Sequence, residues 1–356
     1  MTYPIPSAEH QLQFLHKIQR ILEEGDFNAT YKYALLQALS DIAVEKGDVV
    51  GEPLIISIEM LAEKYIMYYW RQVLPFPRSS SQQAILFQNK GKQAAIINQI
   101  KSYQDMHGPV ITRARKNLST WKILVKDVAD TIRAMPLWKL QRVAHGVNDF
   151  LYPNKQTGDH ITLRPGIAYC LRAFHGQILN MVQGAWLRWV RSLKGNQSIL
   201  GQSVDLNEFL FGSDRTDLSR YVPILQTQQD NLCFYCNVKL KSGSMEVDHF
   251  IPWARYPLDL GHNFVLADRA CNNDKRDLLP SISHLERWVN RNVHQRNCLE
   301  EKFDQFDLPY DRDATHAIAA WAYSQVELTR GDVWLSKKGK VEPLGSGWHT
   351  ILSYDA

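Results

Sequence analysis

Cys233 and Cys236 stand three positions apart, and Cys271 follows later in the chain. Two thiols at that spacing can share one tetrahedral ion, and a later thiol can close on it, so the three read as a structural Zn²⁺ staple. Three unconnected buried thiols would not account for the spacing. Asp248-His249 and Asn263 lie inside the staple, and Asn272 directly follows Cys271. Oxygen-bearing side chains hold a hard dication such as Mg²⁺ or Mn²⁺, and a neutral imidazole takes a proton from water near neutral pH. These residue types suit attack of an activated water on a phosphodiester. His249 is then the general base, and Asp248 and Asn272 ligate the hard ion. The bland counterparts are a structural strand histidine, a turn aspartate and a helix-capping asparagine. Lys275, on the helix turn after Asn272, suits a phosphate oxygen, as does Arg255; a solvated lysine is the alternative.

In chain order, Cys233-x-x-Cys236, Asp248-His249-x-x-Pro252, Asn263 before the apolar Phe264-Val265-Leu266, and Cys271-Asn272-x-x-Lys275 resemble the HNH endonuclease motif, the ββα-metal nuclease signature. The resemblance covers about residues 231 to 280. It implies that Asn263 braces the loop carrying His249 through hydrogen bonds to backbone. It also implies hydrolysis of DNA to leave 5′-phosphate ends, with one nick per active site. The commonest form of the family has a second Cys-x-x-Cys, whereas here the spacing reads Asp268-Arg269-Ala270-Cys271. A carboxylate is an allowed zinc ligand, so Asp268 is the expected fourth, with His262, His284, His294 or Cys298 as substitutes. Joined to a helical region, such a module is similar to bacterial proteins of phage defence, so DNA and partner proteins of a defence system are the expected partners. The alternative function is a non-catalytic, zinc-containing module that binds nucleic acid or protein.

The elements that must position these residues are short. Met245 to Phe250 alternates as a strand after a turn at Ser242-Gly243-Ser244, Phe264 to Leu266 makes the next strand, and Arg269 to about Arg276 starts a helix. The expected fold class is mainly α. A helical domain over 1–200 binds substrate or regulates, 201–228 connects, 229–300 is the zinc-stapled ββα-metal nuclease domain, and 301–356 is a helical extension. Within the first domain, Leu12, Leu15, Ile18 and Leu22 mark one helix face and Leu35, Leu39 and Ile42 another, with Gly25 and Gly47 as left-handed ends. Ser57 caps a third helix through Trp70, and further helical patterns run over 82–100, 120–135 and 167–193. Beyond the motif, 284–303 and 314–328 look helical. Around Val333 to Leu335 and Trp348 to Tyr354 the chain adds short strands or packs onto the body.

With 356 residues, 45% of them hydrophobic and 11% aromatic, the chain can build two or three cores, and extensive disorder is excluded. A net charge of +4 is too mild to identify a nucleic-acid binder. Its distribution says more: residues 110–200 hold fourteen Lys or Arg against four Asp and no Glu. Arg113, Arg115 and Lys116 begin that tract, and Trp121, Trp138, Trp186 and Trp189 are interleaved. Such a tract can grip phosphates and stack bases; the alternative is solvated helix faces over core tryptophans. Five cysteines, three in the motif, suit a reducing compartment. The amino-terminal residues lack the build of a signal peptide, and every stretch of membrane-spanning length carries charge, so a soluble cytoplasmic protein without a membrane partner is expected. Nothing in the pattern sets an oligomeric state.

Overall fold

The computed structural model describes residues 3–47, 50–77, 84–143, 146–154, 158–200, 205–212, 218–241 and 243–353. They fall into two compact units, Met1–Gly212 and Ser213–Ala356.

The first unit is built around the helix Tyr31–Lys46, whose residues from Lys32 to Glu45 are all buried. A helix buried on every side has no solvent face, so neighbours cover it all round. The helices Ile58–Trp70, Ile167–Ala173 and His175–Ser192 do so. Two of the charges it carries inward, Asp41 and Glu45, are paired, as burial demands, and Lys32 lies over the Phe27 ring at 5.2 Å. His175 Nε2 lies 2.7 Å from Asp41 Oδ1, Tyr68 Oη donates to Asp41 Oδ2, and Lys64 pairs with Glu45.

Helix Ala8–Glu24 buries Phe14, Ile18 and Ile21, while Leu12 is 59% exposed. Of the expected face, Leu15, Ile18 and Leu22 pack against the core and Leu12 alone turns outward, while Phe14, edge-on against Phe150, joins the buried side. Gly25 and Gly47 end their helices as expected, but with φ of −70° and −79°, not left-handed. Their smallness serves close approach instead: a Cβ at either would stand 2.4 Å from the carbonyl oxygen of Ile21 or Ala43. Ser57 Oγ accepts from Met60 N at 3.1 Å and caps Ile58–Trp70. The helix expected from Gln82 begins at Ala95, Gln82 itself lying outside the described residues. Leu118–Ala134 is one helix, and Pro136, which cannot continue it, opens a separate turn. The apolar stretch after Gly166 is two helices that meet at Phe174.

In the second unit a 3-10 turn, Leu218–Tyr221, and a helix, Val222–Gln228, occupy the end of the expected connection; 201–204 and 213–217 lie outside the described residues. Strands Met245–His249 and Phe264–Asp268 pair antiparallel, with His249 opposite Phe264 and Met245 opposite Asp268. Ser242 of the preceding turn lies outside the described residues. The helix Arg269–Lys275 follows the second strand without a break. Behind this ββα unit stand helices Ile282–His294, Arg296–Gln305 and Arg312–Leu328 and a hairpin of Asp332–Ser336 with Lys340–Pro343. Their core includes Phe250 stacked on Trp288 at 4.7 Å. Trp348–Ser353 is a helix, not a strand, and buries Trp348; Tyr354 lies outside the described residues. No described helix is long and apolar enough to cross a membrane.

Candidate active site and metal centre

The two cysteines of the knuckle sit on a tight turn. Cys233 N donates to Val238 O and Asn237 N to Cys233 O, while Asn231 and Asn237 take left-handed φ of 59° and 55°. Asparagine tolerates that region better than most side chains. Cys271 comes from the first turns of the motif helix. The three sulfur atoms lie within 4.8 Å of one another. A hydrogen bond from Cys271 brings the Cys233 thiol down to about 5, aided by nearby backbone amides and opposed by burial; the Cys271 thiol is pushed up in turn. Sulfurs so close that they share protons are the arrangement a soft dication resolves, by replacing the protons. The cluster therefore fits a zinc ion.

Asp268 stands beside the cluster with its carboxylate engaged. Oδ1 accepts from Ala270 N at 3.0 Å, capping the motif helix, and from Lys337 Nζ at 3.3 Å. Its backbone amide meets Cys233 Sγ at 3.3 Å. Among the described residues, neither the expected fourth ligand, Asp268, nor any of His262, His284, His294 and Cys298 joins the sulfur group. His262 is buried against Phe303 and Tyr310, and His284 is held by Ser281 and Tyr235 O.

At the other end of the strand pair a cleft of about 490 Å³ is lined by Asp248, His249, Trp253, Asp259, Asn272 and Arg276, among others. His249 Nε2 lies 2.7 Å from Asp259 Oδ1. Its ring meets Phe264, its cross-strand neighbour, at 4.8 Å and Trp253 at 5.3 Å, both edge to face. Asn263 grips the loop that leaves the first strand: Oδ1 accepts from Ile251 N at 2.8 Å and Nδ2 donates to Ile251 O at 3.0 Å. Asp248 Oδ2 accepts from Tyr235 Oη at 2.5 Å, and Lys275 Nζ stands 3.0 Å from Oδ2 and donates to Oδ1 at 3.3 Å. Lys275 is fully buried and also donates to His249 O at 2.9 Å. Asn272 Nδ2 donates to Glu246 Oε2 at 2.9 Å, and Arg269 pairs with the other oxygen of that carboxylate. Arg255 turns to Asp277 O at 3.1 Å, while the neighbouring Arg276 lines the cleft.

The structure thus brings Asp248, His249 and Asn272 to one cleft. It puts Asn263 behind them and Lys275 beneath them. Asp259, Trp253, Arg276, Glu246 and Tyr235 were missed in the sequence. Asp259 left a faint signal, a lone carboxylate between Leu258 and Leu260 in a loop otherwise turning on Pro257 and Gly261. In the helical unit Arg113 and Lys116 are exposed, but Arg115 lies over the Trp121 ring at 5.1 Å and is half-buried. Trp121 and Trp186 are core residues, whereas Trp138 is exposed beneath Arg142 at 4.5 Å and Lys139 at 5.0 Å.

No curated protein and no solved structure matches the chain. Residues 233–281 match the family model for HNH endonuclease, the stretch that carries the sulfur cluster, the strand pair and the cleft. Residues 11–208, more than half of the chain, match the model described as Domain of unknown function (DUF8808). The chain belongs to that DUF8808 family, and its second unit carries an HNH endonuclease domain.

Proposed function

We propose that the chain is a metal-dependent endonuclease that hydrolyses DNA phosphodiesters, nicking one strand at each active site. The observation that carries this reading is the convergence of His249, Asp248 and Asn272 on one open cleft. His249 takes a proton from a water, and the water oxygen attacks phosphorus. The bond from phosphorus to the 3′ oxygen breaks, the leaving 3′ oxygen takes a proton from solvent, and the phosphate stays on the 5′ oxygen of the downstream fragment. The amide nitrogen of Asn272 is committed to Glu246, so its oxygen is the atom that joins Asp248 in holding a hard dication. Mg²⁺ or Mn²⁺ bound there supplies positive charge to the phosphate and the leaving oxygen. Zn²⁺ at Cys233, Cys236 and Cys271 is structural, with Asp268 the adjacent carboxylate to complete the set.

Lys275 fixes Asp248 and the His249 carbonyl from below, so it contributes orientation, and Arg276 is the cation that faces a phosphate. Arg276 has φ of 50° and ψ of −124°, an unfavourable backbone for a residue with a side chain. Such strain persists where the side chain it aims is useful. The helical unit recruits substrate, with Arg113 and Lys116 as phosphate contacts. Defence against phage or other foreign DNA in the cytoplasm, together with protein partners, is the setting that suits this pairing of units.

Supercoiled plasmid, incubated with the protein and Mg²⁺ or Mn²⁺, should convert to open circles. His249→Ala should slow the conversion by about 10²- to 10⁴-fold. A binding module without catalysis is the competing reading, favoured by the two donors already on Asp248. Intact circular duplex and intact single strands across several divalent metals would select that reading.

A further inference from the structure

The general base of the proposed reaction sits on a carboxylate that the reaction itself does not require. Asp259 Oδ1 lies 2.7 Å from His249 Nε2, and the two side chains are 10% and 15% exposed. A neutral imidazole carries one N–H. A carboxylate accepts hydrogen bonds, so the N–H of His249 belongs on Nε2 and the lone pair on Nδ1. Resting on the general-base reading above, we infer that Asp259 is a positioning residue for His249, fixing its ring so that Nδ1 is the atom that takes the proton from water.

Three further observations support this assignment. The loop carrying Asp259 is clamped at both ends, by Asn263 on Ile251 and by Gly261 N on Pro309 O at 2.9 Å. Gly261 has no room for a side chain, because a Cβ there would stand 2.7 Å from the Phe303 ring. The loop therefore presents Asp259 at a fixed height. The edge-to-face rings of Trp253 and Phe264 border the imidazole, so a ring flip about Cβ–Cγ must disturb both. A carboxylate on the far nitrogen also stabilises the imidazolium formed when the proton arrives, an effect that grows as charge develops. Removing a partner that orients a functional imidazole costs about ten- to a hundredfold in comparable sites.

The test has two parts, both on the full chain. Long-range ¹H–¹⁵N correlation on the resting protein, at a pH where the ring is neutral, should show His249 as the Nε2–H tautomer in the wild type. In Asp259→Ala it should show a mixture. Nicking kinetics should show kcat lowered about ten- to a hundredfold in Asp259→Ala, with KM for DNA held within twofold. Asp259→Asn keeps an acceptor oxygen without the charge and should fall between. An Nδ1–H tautomer in the wild type overturns the assignment, as do variants whose kcat stays within twofold of wild type. If Asp259→Ala does not fold, Asp259→Asn and the wild-type tautomer decide. A wild type with the Nε2–H tautomer that nicks no DNA overturns the nuclease reading while upholding the orienting role of Asp259.

Discussion

Among the described residues, a histidine–aspartate pair in each unit has the same length. Asp41 and His175 meet at 2.7 Å in the helical unit, and His249 and Asp259 meet at 2.7 Å in the nuclease unit. Their surroundings differ. His175 is enclosed, and its carboxylate partner is also held by Tyr68 Oη, so the pair ties one helix to its neighbours. His249 opens onto a cleft that also receives Asp248, Asn272 and Arg276. On the proposed reading, a histidine–carboxylate contact becomes a catalytic device through access and company, not through its own geometry. The same contact that locks a core in one unit is proposed to aim a base in the other.

The largest test separates the units. Cys233→Ser should release bound zinc and unfold the nuclease unit, because a structural ion of this kind contributes on the order of 10 kcal/mol. Hydrogen exchange resolved along the sequence should then show loss of protection after residue 213 and retention at Asp41 and His175. Zinc at wild-type stoichiometry with unchanged protection would refute the staple.

Exchanging the histidines sharpens the comparison. His175→Ala strands a buried carboxylate and should cost about 3–5 kcal/mol of stability, seen as a lowered Tm and a lower urea midpoint. His249→Ala likewise takes the histidine from a carboxylate only 10% exposed, Asp259, and should lower the Tm too, but it alone should also slow nicking by about 10²- to 10⁴-fold. If His175→Ala instead keeps its stability and loses nicking, the division between the two pairs is wrong.

Acid should undo the nuclease unit first. Burial, reinforced by Arg291, Arg312 and Arg296, brings His262 down to about 3, and burial with Arg287 brings His284 down to about 4. Unfolded histidine titrates near about 6.5, so the unfolded chain binds protons that the folded unit refuses. The stability is present above that value and is lost as the pH falls toward the folded values, at about 2 kcal/mol for each histidine between pH 6.5 and 5. Asp41 behaves oppositely in range. Burial alone would raise its carboxyl, but the hydrogen bond and charge of His175 outweigh burial and hold it below the ordinary value. Its contribution persists until the pH falls below about 4. Unfolding followed separately in the two units should therefore show the second leaving first on acidification. His262→Phe should narrow the gap; coincident transitions would count against this account.

Smaller effects concern the cleft rim and the basic tract. Arg276→Gly relieves an unfavourable backbone and should raise stability by about 1 kcal/mol while raising KM for DNA several-fold. A raised Tm with unchanged KM would remove Arg276 from the phosphate path. Charge reversal of Arg113 and Lys116 together should lower the salt slope of DNA binding by about 2. An unchanged slope would return both to ordinary solvated surface.

Much of this site was legible because its ligating residues are close in sequence. Cys233, Cys236 and Cys271 come together as their spacing implies, since a tight turn and the first turns of a helix are local structures. Asn263 could be anticipated for the same reason. The pairing of His249 with Asp259 could not, because the intervening loop has no periodicity and its shape depends on Gly261 meeting Phe303, far away in the chain. Lys275 reads as a surface lysine until the short helix is docked and its side chain is turned under the strand to Asp248. Arg115 was similarly indistinguishable from Arg113 until Trp121 packed beneath it. In the helical unit the existence of the helices was legible from apolar spacing, while the full extent of the face each buries was set by distant partners, as Phe14 shows.

The hairpin near the carboxyl end has a practical consequence. Trp334 Nε1 and Gly339 N both hold the carboxylate of Asp274 on the motif helix, and Trp334 N and O bond Leu279 and Ser281. The stretch matching the HNH model stops at residue 281, short of these tethers. A fragment trimmed to the recognisable motif would therefore lose the buttress of its own helix. A portable cutting module excised from this chain has to retain residues through the hairpin, some sixty positions past the point where likeness to the family ends.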